Sequence, residues 1–160
     1  MEKIFLLLGT NLGNGKENLI RALDELEKKG ITILRRSRIY KTQPWGYSNQ
    51  PDFLNLGVEV KCDYPPTELL NILKQIEKKL GRIKGPRWGP RLIDIDIIFY
   101  GNQIVKTREL TIPHPQFFNR PFALHIIAEL APDFIPPGSD LRMSEISREV
   151  SDEGIQIYRG

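Results

Sequence analysis

The chain has 160 residues, 40% of them apolar and 27% charged, with a net charge of +3. That describes one soluble globular domain, residues 1–160, large enough to bury a core. Its single cysteine, Cys62, excludes an internal disulfide and fits a reducing cytoplasm.

The N-terminus enters an apolar run, Ile4 to Leu8, far too short for a membrane span and without a cleavage-site pattern. Unbroken apolar residues predict a central strand buried on both faces. Gly9-Thr10-Asn11-Leu12-Gly13-Asn14-Gly15 follows. It is glycine-rich like a phosphate loop, yet no Gly-Lys-Ser/Thr follows it, and the spacing is not Gly-x-Gly-x-x-Gly. It reads as a tight strand-to-helix connection that lines a site by its backbone.

Lys16 to Lys29 has Leu19, Ile20, Leu23 and Leu26 at helical spacing, and Gly30 supplies a stop. Ile31 to Lys41 alternates as one strand. The stretch from Thr42 to Pro51 contains Pro44, Trp45 and Tyr47, aromatics that either pack on the core or sandwich a flat heterocycle. Phe53 to Cys62 is a further strand, and Pro65-Pro66-Thr67-Glu68 opens a helix closed by Gly81. The inner stripe of that helix is Leu69, Leu70, Leu73, Ile76, Glu77 and Leu80. Glu77, beside the stripe, either pairs with Arg82 or reaches ligand hydroxyls.

A basic stretch comes next, with Arg82, Lys84, Arg87 and Arg91 broken by Gly85, Pro86, Gly89 and Pro90. From Leu92 to Phe99 the residues alternate, so Ile93, Ile95 and Ile97 face one way and Asp94 and Asp96 the other. Two carboxylates on one strand face stand roughly 6–7 Å apart at Cα, which suits a pair of hard cations or a clamp on one. In a strand otherwise wholly apolar, that pair without a cation is costly. Acids on a strand beside a basic loop make a site for a polyanion arriving with its own metal, such as ATP·Mg²⁺. Metal-assisted phosphoryl transfer fits this better than an acid/base couple.

Tyr100 to Gln103 turns the chain into Ile104-Val105, a predicted hairpin. Leu110 to Pro115 is extended, as residues before proline avoid the α region. Phe117 to Leu130 carries a third helix starting near Arg120. Between two prolines, His114 is placed for one rigid contact, whereas His125 is a surface or packing histidine. The tail from Pro136 is weakly patterned, with a short helix over Met143 to Arg148 and a strand over Ile155 to Tyr158. The order strand, helix, strand, strand, helix, strand predicts an α+β fold with a ferredoxin-like βαββαβ core. Its antiparallel sheet carries both helices on one face, leaves the other free for a site, and gains a C-terminal hairpin and helices.

Four separated motifs coincide: Gly9-Thr10-Asn11-Leu12-Gly13, Gln50-Pro51-Asp52-Phe53-Leu54-Asn55, Gly81-Arg82 through Trp88-Gly89-Pro90-Arg91-x-x-Asp94-x-Asp96, and Pro113-His114-Pro115 with Arg120-x-Phe122. Together they resemble the 6-hydroxymethyl-7,8-dihydropterin pyrophosphokinases of folate biosynthesis, in order and over nearly the whole chain. The resemblance implies transfer of the β,γ-pyrophosphoryl group of ATP to the hydroxymethyl oxygen of the pterin, with release of AMP. It implies Asp94 and Asp96 as ligands of two Mg²⁺ ions, with Arg82 and Arg91 as catalytic cations gripping the phosphates. Around ATP it places Glu77, Arg82, Lys84, Trp88, Arg91, Ile97, Thr111, His114 and Arg120. Around the pterin it places Thr42, Pro44, Trp45, Phe53, Asn55, Trp88 and Phe122, with Phe53 and Phe122 stacked on the ring and Asn55 reading its polar edge. Lys84 stands where many members carry arginine.

The partners expected are the small molecules ATP and hydroxymethyl-dihydropterin, with no nucleic acid, no membrane and no obligate interface, hence a monomer. A single-stranded RNA module is disfavoured because two aspartates on the binding face repel phosphates and no Lys/Arg-Gly-Phe-x-Phe signature appears. A metal-dependent nuclease would leave the aromatic loops without a purpose.

Overall fold

The computed structural model describes residues 2–43, 51–81 and 92–160. Its strands are β1 (Ile4–Thr10), β2 (Thr32–Arg36), β3 (Tyr40–Thr42), β4 (Phe53–Lys61), β5 (Asp94–Tyr100), β6 (Val105–Lys106), β7 (Thr111–Ile112) and β8 (Ile155–Ile157). The helices are α1 (Gly15–Lys28), α2 (Pro66–Lys79), α3 (Pro121–Leu130) and α4 (Met143–Arg148), with a 3-10 turn at Phe117–Asn119 before α3. A six-stranded sheet runs β5-β1-β4-β3-β8, β2 also pairing with β4, and each of these pairings is antiparallel. The α+β class expected from the sequence is therefore present.

Strand β1 is buried along its whole length because helices cover both faces of the sheet. On one face Ile4, Leu6 and Leu8 meet Leu19, Ala22, Leu23 and Leu26 of α1 and Leu69, Leu73 and Ile76 of α2. Lys79 joins α2 to α1 through a 2.9 Å ion pair with Glu25. Asn14 caps α1 by accepting the Glu17 N–H at 3.1 Å, and Gly30, at φ 82°, turns the chain out at the other end. Ile20, expected in the α1 stripe, is 42% exposed, and Ala22 takes its place in the core. The helix therefore sits slightly rotated from the face its leucines alone suggest.

The opposite face is not free. Phe5 and Leu7 pack there with Ile98, Phe99, Phe117 and the inner residues of α3 in a second core. Phe99 anchors it, with its ring centroid 5.0 Å from those of both Phe117 and Phe134. A β-bulge opposite Phe5/Leu6 sends Ile98 and Phe99 together into this core, ending the alternation that Ile93, Ile95 and Ile97 keep. The close approach of α3 depends on Gly57. A Cβ there would lie 2.6 Å from Ile126 Cγ2 and 3.0 Å from Leu130 Cδ1.

Two further expectations are corrected. The strand read as Ile31 to Lys41 is two strands, β2 and β3, split where Ser37 turns inward and its Oγ accepts the Gly57 N–H at 2.9 Å. Val105 does not return onto β5. It pairs with Ile112, making β6 and β7 a separate small ribbon.

Candidate active site

Strand register assembles the site. Gly9, near the end of β1, lies opposite Asn55 on one side and Asp94 on the other. Paired residues point to the same face, so Asn55, Gly9 and Asp94 form one row, and Leu7 opposite Asp96 lies in the next. The alternation that puts Ile95 and Ile97 in the first core turns Asp94 and Asp96 to the other side, the same face as Asn55. Two strand spacings, about 10 Å at Cα, separate Asn55 from Asp94. Gly9 brings no side chain to that interval and is buried there, with the Asn55 and Phe53 side chains close above it. A Cβ there would stand 3.0 Å from Asn55 Oδ1 and 3.8 Å from Phe53 Cδ1.

At the outer edge of β5 a cavity of about 440 Å³ collects Glu77, Asp94, Asp96, Ile97, Thr111, His114 and Arg120. Seven residues singled out in the sequence as nucleotide or metal contacts thus meet in one hollow. His114 Nε2 and an Arg120 guanidinium nitrogen stand 3.9 and 4.0 Å from Asp96 Oδ2. The Nδ1 of His114 accepts the Gln116 backbone N–H at 3.1 Å, so the neutral ring carries its proton on Nε2, toward Asp96. The Ile112–Pro113 peptide just before it is cis. Among the described residues no group of three or more His, Cys, Asp or Glu side chains is gathered to hold a metal.

Glu77 is 5% exposed, and its Oε2 accepts the Ile95 backbone N–H at 2.7 Å. Of the alternatives open in the sequence this adds a third. The carboxylate fastens α2 to the outer edge of β5, between the two aspartates.

Thr42 and Asn55 are buried, and Asn55 Nδ2 donates to Thr42 Oγ1 at 2.6 Å. Phe53 stands two residues before Asn55 on the same face of β4, and Phe122 lies half-buried against the second core, two residues beyond Arg120. These four residues do not line the 440 Å³ cavity. Thr42 and Phe53 stand with Asn55 at the other end of the Asn55–Gly9–Asp94 row, while Phe122 rides on α3 beside Arg120. Pro44, Trp45, Arg82, Lys84, Trp88 and Arg91 lie outside the described residues.

Glycine-rich residues 11–15 do not line the cavity either. Asn11 Nδ2 instead donates to the Pro51 carbonyl at 3.0 Å, tying the turn to the approach to β4. Sequence reasoning missed Lys74 and Arg108, two more cations around the cavity. Lys74 sits on α2 one turn before Glu77, so its helical spacing from a candidate residue was a usable signal. Arg108 stands between β6 and β7, in a polar stretch whose folding back toward β5 no local pattern announces.

A family model described as 7,8-dihydro-6-hydroxymethylpterin-pyrophosphokinase (HPPK) matches residues 5–132. The chain is 35% identical over 156 residues to the 2-amino-4-hydroxy-6-hydroxymethyldihydropteridine pyrophosphokinase of Bacillus subtilis, covering 97% of this chain and 89% of that protein. With the enzyme of the same name from Synechocystis it shares 42% over 144 residues, covering 89% of this chain and 73% of the other. It is also 36% identical to the folic acid synthesis protein fol1 of Pneumocystis carinii over 155 residues, 97% of this chain but 21% of that longer protein. Among solved structures, a Plasmodium falciparum HPPK-DHPS with pteroate superposes with a TM-score of 0.75 at 16% identity, covering 92% of this chain and 42% of that one. At that identity the likeness speaks for the fold alone.

Proposed function

Because the chain belongs to the 7,8-dihydro-6-hydroxymethylpterin-pyrophosphokinase family, which transfers pyrophosphate from ATP to hydroxymethyldihydropterin in folate synthesis, we propose how its own residues divide that work. The row Asn55–Gly9–Asp94 carries the reading. Asn55 and Thr42 hold the polar edge of the pterin, Phe53 and Phe122 its faces, and the lack of a side chain at Gly9 leaves its hydroxymethyl arm free to lie toward Asp94. The triphosphate enters from the β5 edge, where Arg120, Lys74 and Arg108 supply positive charge and His114 a hydrogen-bond donor. Ile97 and Thr111 contact the nucleotide. Arg82, Lys84, Trp88 and Arg91 close over it, and Pro44 and Trp45 complete the pterin pocket.

Asp94 and Asp96 suit Mg²⁺, a hard cation that takes one or two carboxylates and completes its shell with phosphate oxygens and water. When bound, such ions neutralise phosphate charge and lower the barrier to attack by the substrate hydroxyl. Asp96 is held for that role by the Arg120 guanidinium and the His114 ring beside it, and Asp94 and Asp96 by the Glu77 fastening of the strand between them. The hydroxymethyl oxygen bonds to the β-phosphorus as AMP leaves with the bridging oxygen. Glu77 orders β5 in this scheme rather than meeting the nucleotide directly.

We read residues 1–160 as one monomeric, cytoplasmic pyrophosphokinase domain with a ferredoxin-like βαββαβ core. The strand order β5-β1-β4-β3 supports the core assignment, and the lone cysteine supports the compartment. Product analysis tests the reaction. With ATP, Mg²⁺ and the hydroxymethyldihydropterin together the chain forms AMP, and omitting Mg²⁺ or the pterin abolishes it. ADP as the product, or AMP formed without pterin, overturns the assignment.

A further inference from the structure

Helix α3 is a strut across the site face. Its N-cap residue, Arg120, stands 4.0 Å from Asp96 on β5, while Glu129, near its other end, grips the chain around β3. From Arg120 to Glu129 the helix rises about 13–14 Å. The path from β5 across β1 and β4 to β3 is three strand spacings, about 14 Å. The helix therefore has the length needed to span the face from Asp96 on β5 to the chain around β3.

The grip at Glu129 is a three-donor clamp. One carboxylate oxygen accepts the Arg38 backbone N–H at 2.7 Å, and the other accepts the Arg38 Nε–H at 3.0 Å and the Tyr40 hydroxyl. The Arg38 guanidinium also lies over the Tyr40 ring, 5.7 Å from its centroid. Tyr40 begins β3, opposite Asn55, and Thr42 ends it with its hydroxyl on the Asn55 side chain. Phe122 lies seven residues before Glu129, on the same side of the helix two turns away. The same clamp therefore fixes α3, with its Phe122, against the strands that carry Thr42, Asn55 and Phe53.

We propose that Glu129 is a positioning residue of the pterin pocket, holding Arg38 and Tyr40 so that Phe122 and the Thr42–Asn55 pair face each other at the spacing of a flat bicyclic ring. This rests on the pocket assignment above. Glu129 itself touches neither substrate. It acts on one substrate because its partners Arg38 and Tyr40 adjoin the Thr42–Asn55 pair and take no part in lining the 440 Å³ cavity.

Steady-state kinetics of the full chain with each substrate varied tests this. Glu129→Ala is expected to raise KM for the pterin about tenfold while KM for ATP stays within about twofold, because a misplacement of roughly 1 Å is already costly at a reacting centre. Tyr40→Phe removes a single donor and preserves the fold should Glu129→Ala not. It is expected to raise pterin KM about threefold, and little further when combined with Glu129→Gln, since both act through one clamp. Unchanged pterin KM in these variants, or equal rises for both substrates, overturns the inference. Asn55→Ala separates the two layers. If it raises pterin KM and the clamp variants do not, only the positioning role fails, whereas if it too is without effect the pocket assignment fails.

Discussion

Single residues in this chain act through what they touch or refrain from touching. Gly9 matters by absence. A methyl there would meet Asn55 Oδ1 at 3.0 Å, between Asn55 and Asp94 in the row. Gly9→Ala is expected to raise pterin KM by about tenfold or more, measured against an unchanged thermal midpoint. An unaltered KM would mean that the substrate does not cross that interval. Glu129 acts by contact. Burial pushes its carboxyl up, but the hydrogen bonds from Tyr40 and from the backbone and guanidinium of Arg38 outweigh burial and hold it below the ordinary 4.5. A carboxyl depressed in the folded state contributes stability that is present above about pH 4.5 and lost as pH falls through its lower folded value. Thermal unfolding across acid pH should accordingly show a steeper loss for the parent chain than for Glu129→Gln. Parallel curves would remove the carboxylate from that account.

At the scale of elements, how closely two backbones approach decides the geometry. Gly57 lets α3 lie on β4, and the 2.6 Å contact a Cβ would make with Ile126 leaves no room for a side chain. Gly57→Ala is expected to destabilise the fold by about 1–3 kcal/mol through overpacking. A chemical-denaturation midpoint equal to that of the parent chain would contradict so close a seat. The same contact explains what the sequence did and did not make legible. Alternation placed Asp94 and Asp96 on one face of β5 correctly, because a strand period needs only neighbours two apart. Periodicity also located α1, α2 and the short α4, and the tail strand at Ile155 to within one residue. The split between β2 and β3 was invisible because it follows from Ser37 bonding to Gly57, a partner twenty positions away. The covering of the second sheet face was missed for a similar reason. Leu124, Ile126, Ile127 and Leu130 announce a buried helix, but nothing local says which face of the sheet buries it.

Over the whole molecule, two cores clamp one sheet and leave its outer edge at β5 to chemistry. The first core fixes β5 from α1 and α2, the second from α3 and the phenylalanine cluster, and Glu77 of α2 fastens the outer edge of the strand at Ile95. The aspartates therefore stand on a rigid strand, while several of the residues proposed to contact the substrates fall in segments 44–50 and 82–91, outside the described residues. On the proposed reading, that fixed acidic platform holds the metal and the connecting segments admit the ligand. The measurement that tests it most directly is the single-turnover rate of AMP formation by Asp96→Ala and Asp94→Ala at saturating ATP and pterin, alongside their thermal unfolding. The rate should fall by about 10²-fold or more, with the unfolding midpoint and the affinity for the pterin essentially those of the parent chain. A variant lacking either carboxylate that turns over at the parent rate would contradict the assignment of these aspartates to the metal-bound triphosphate.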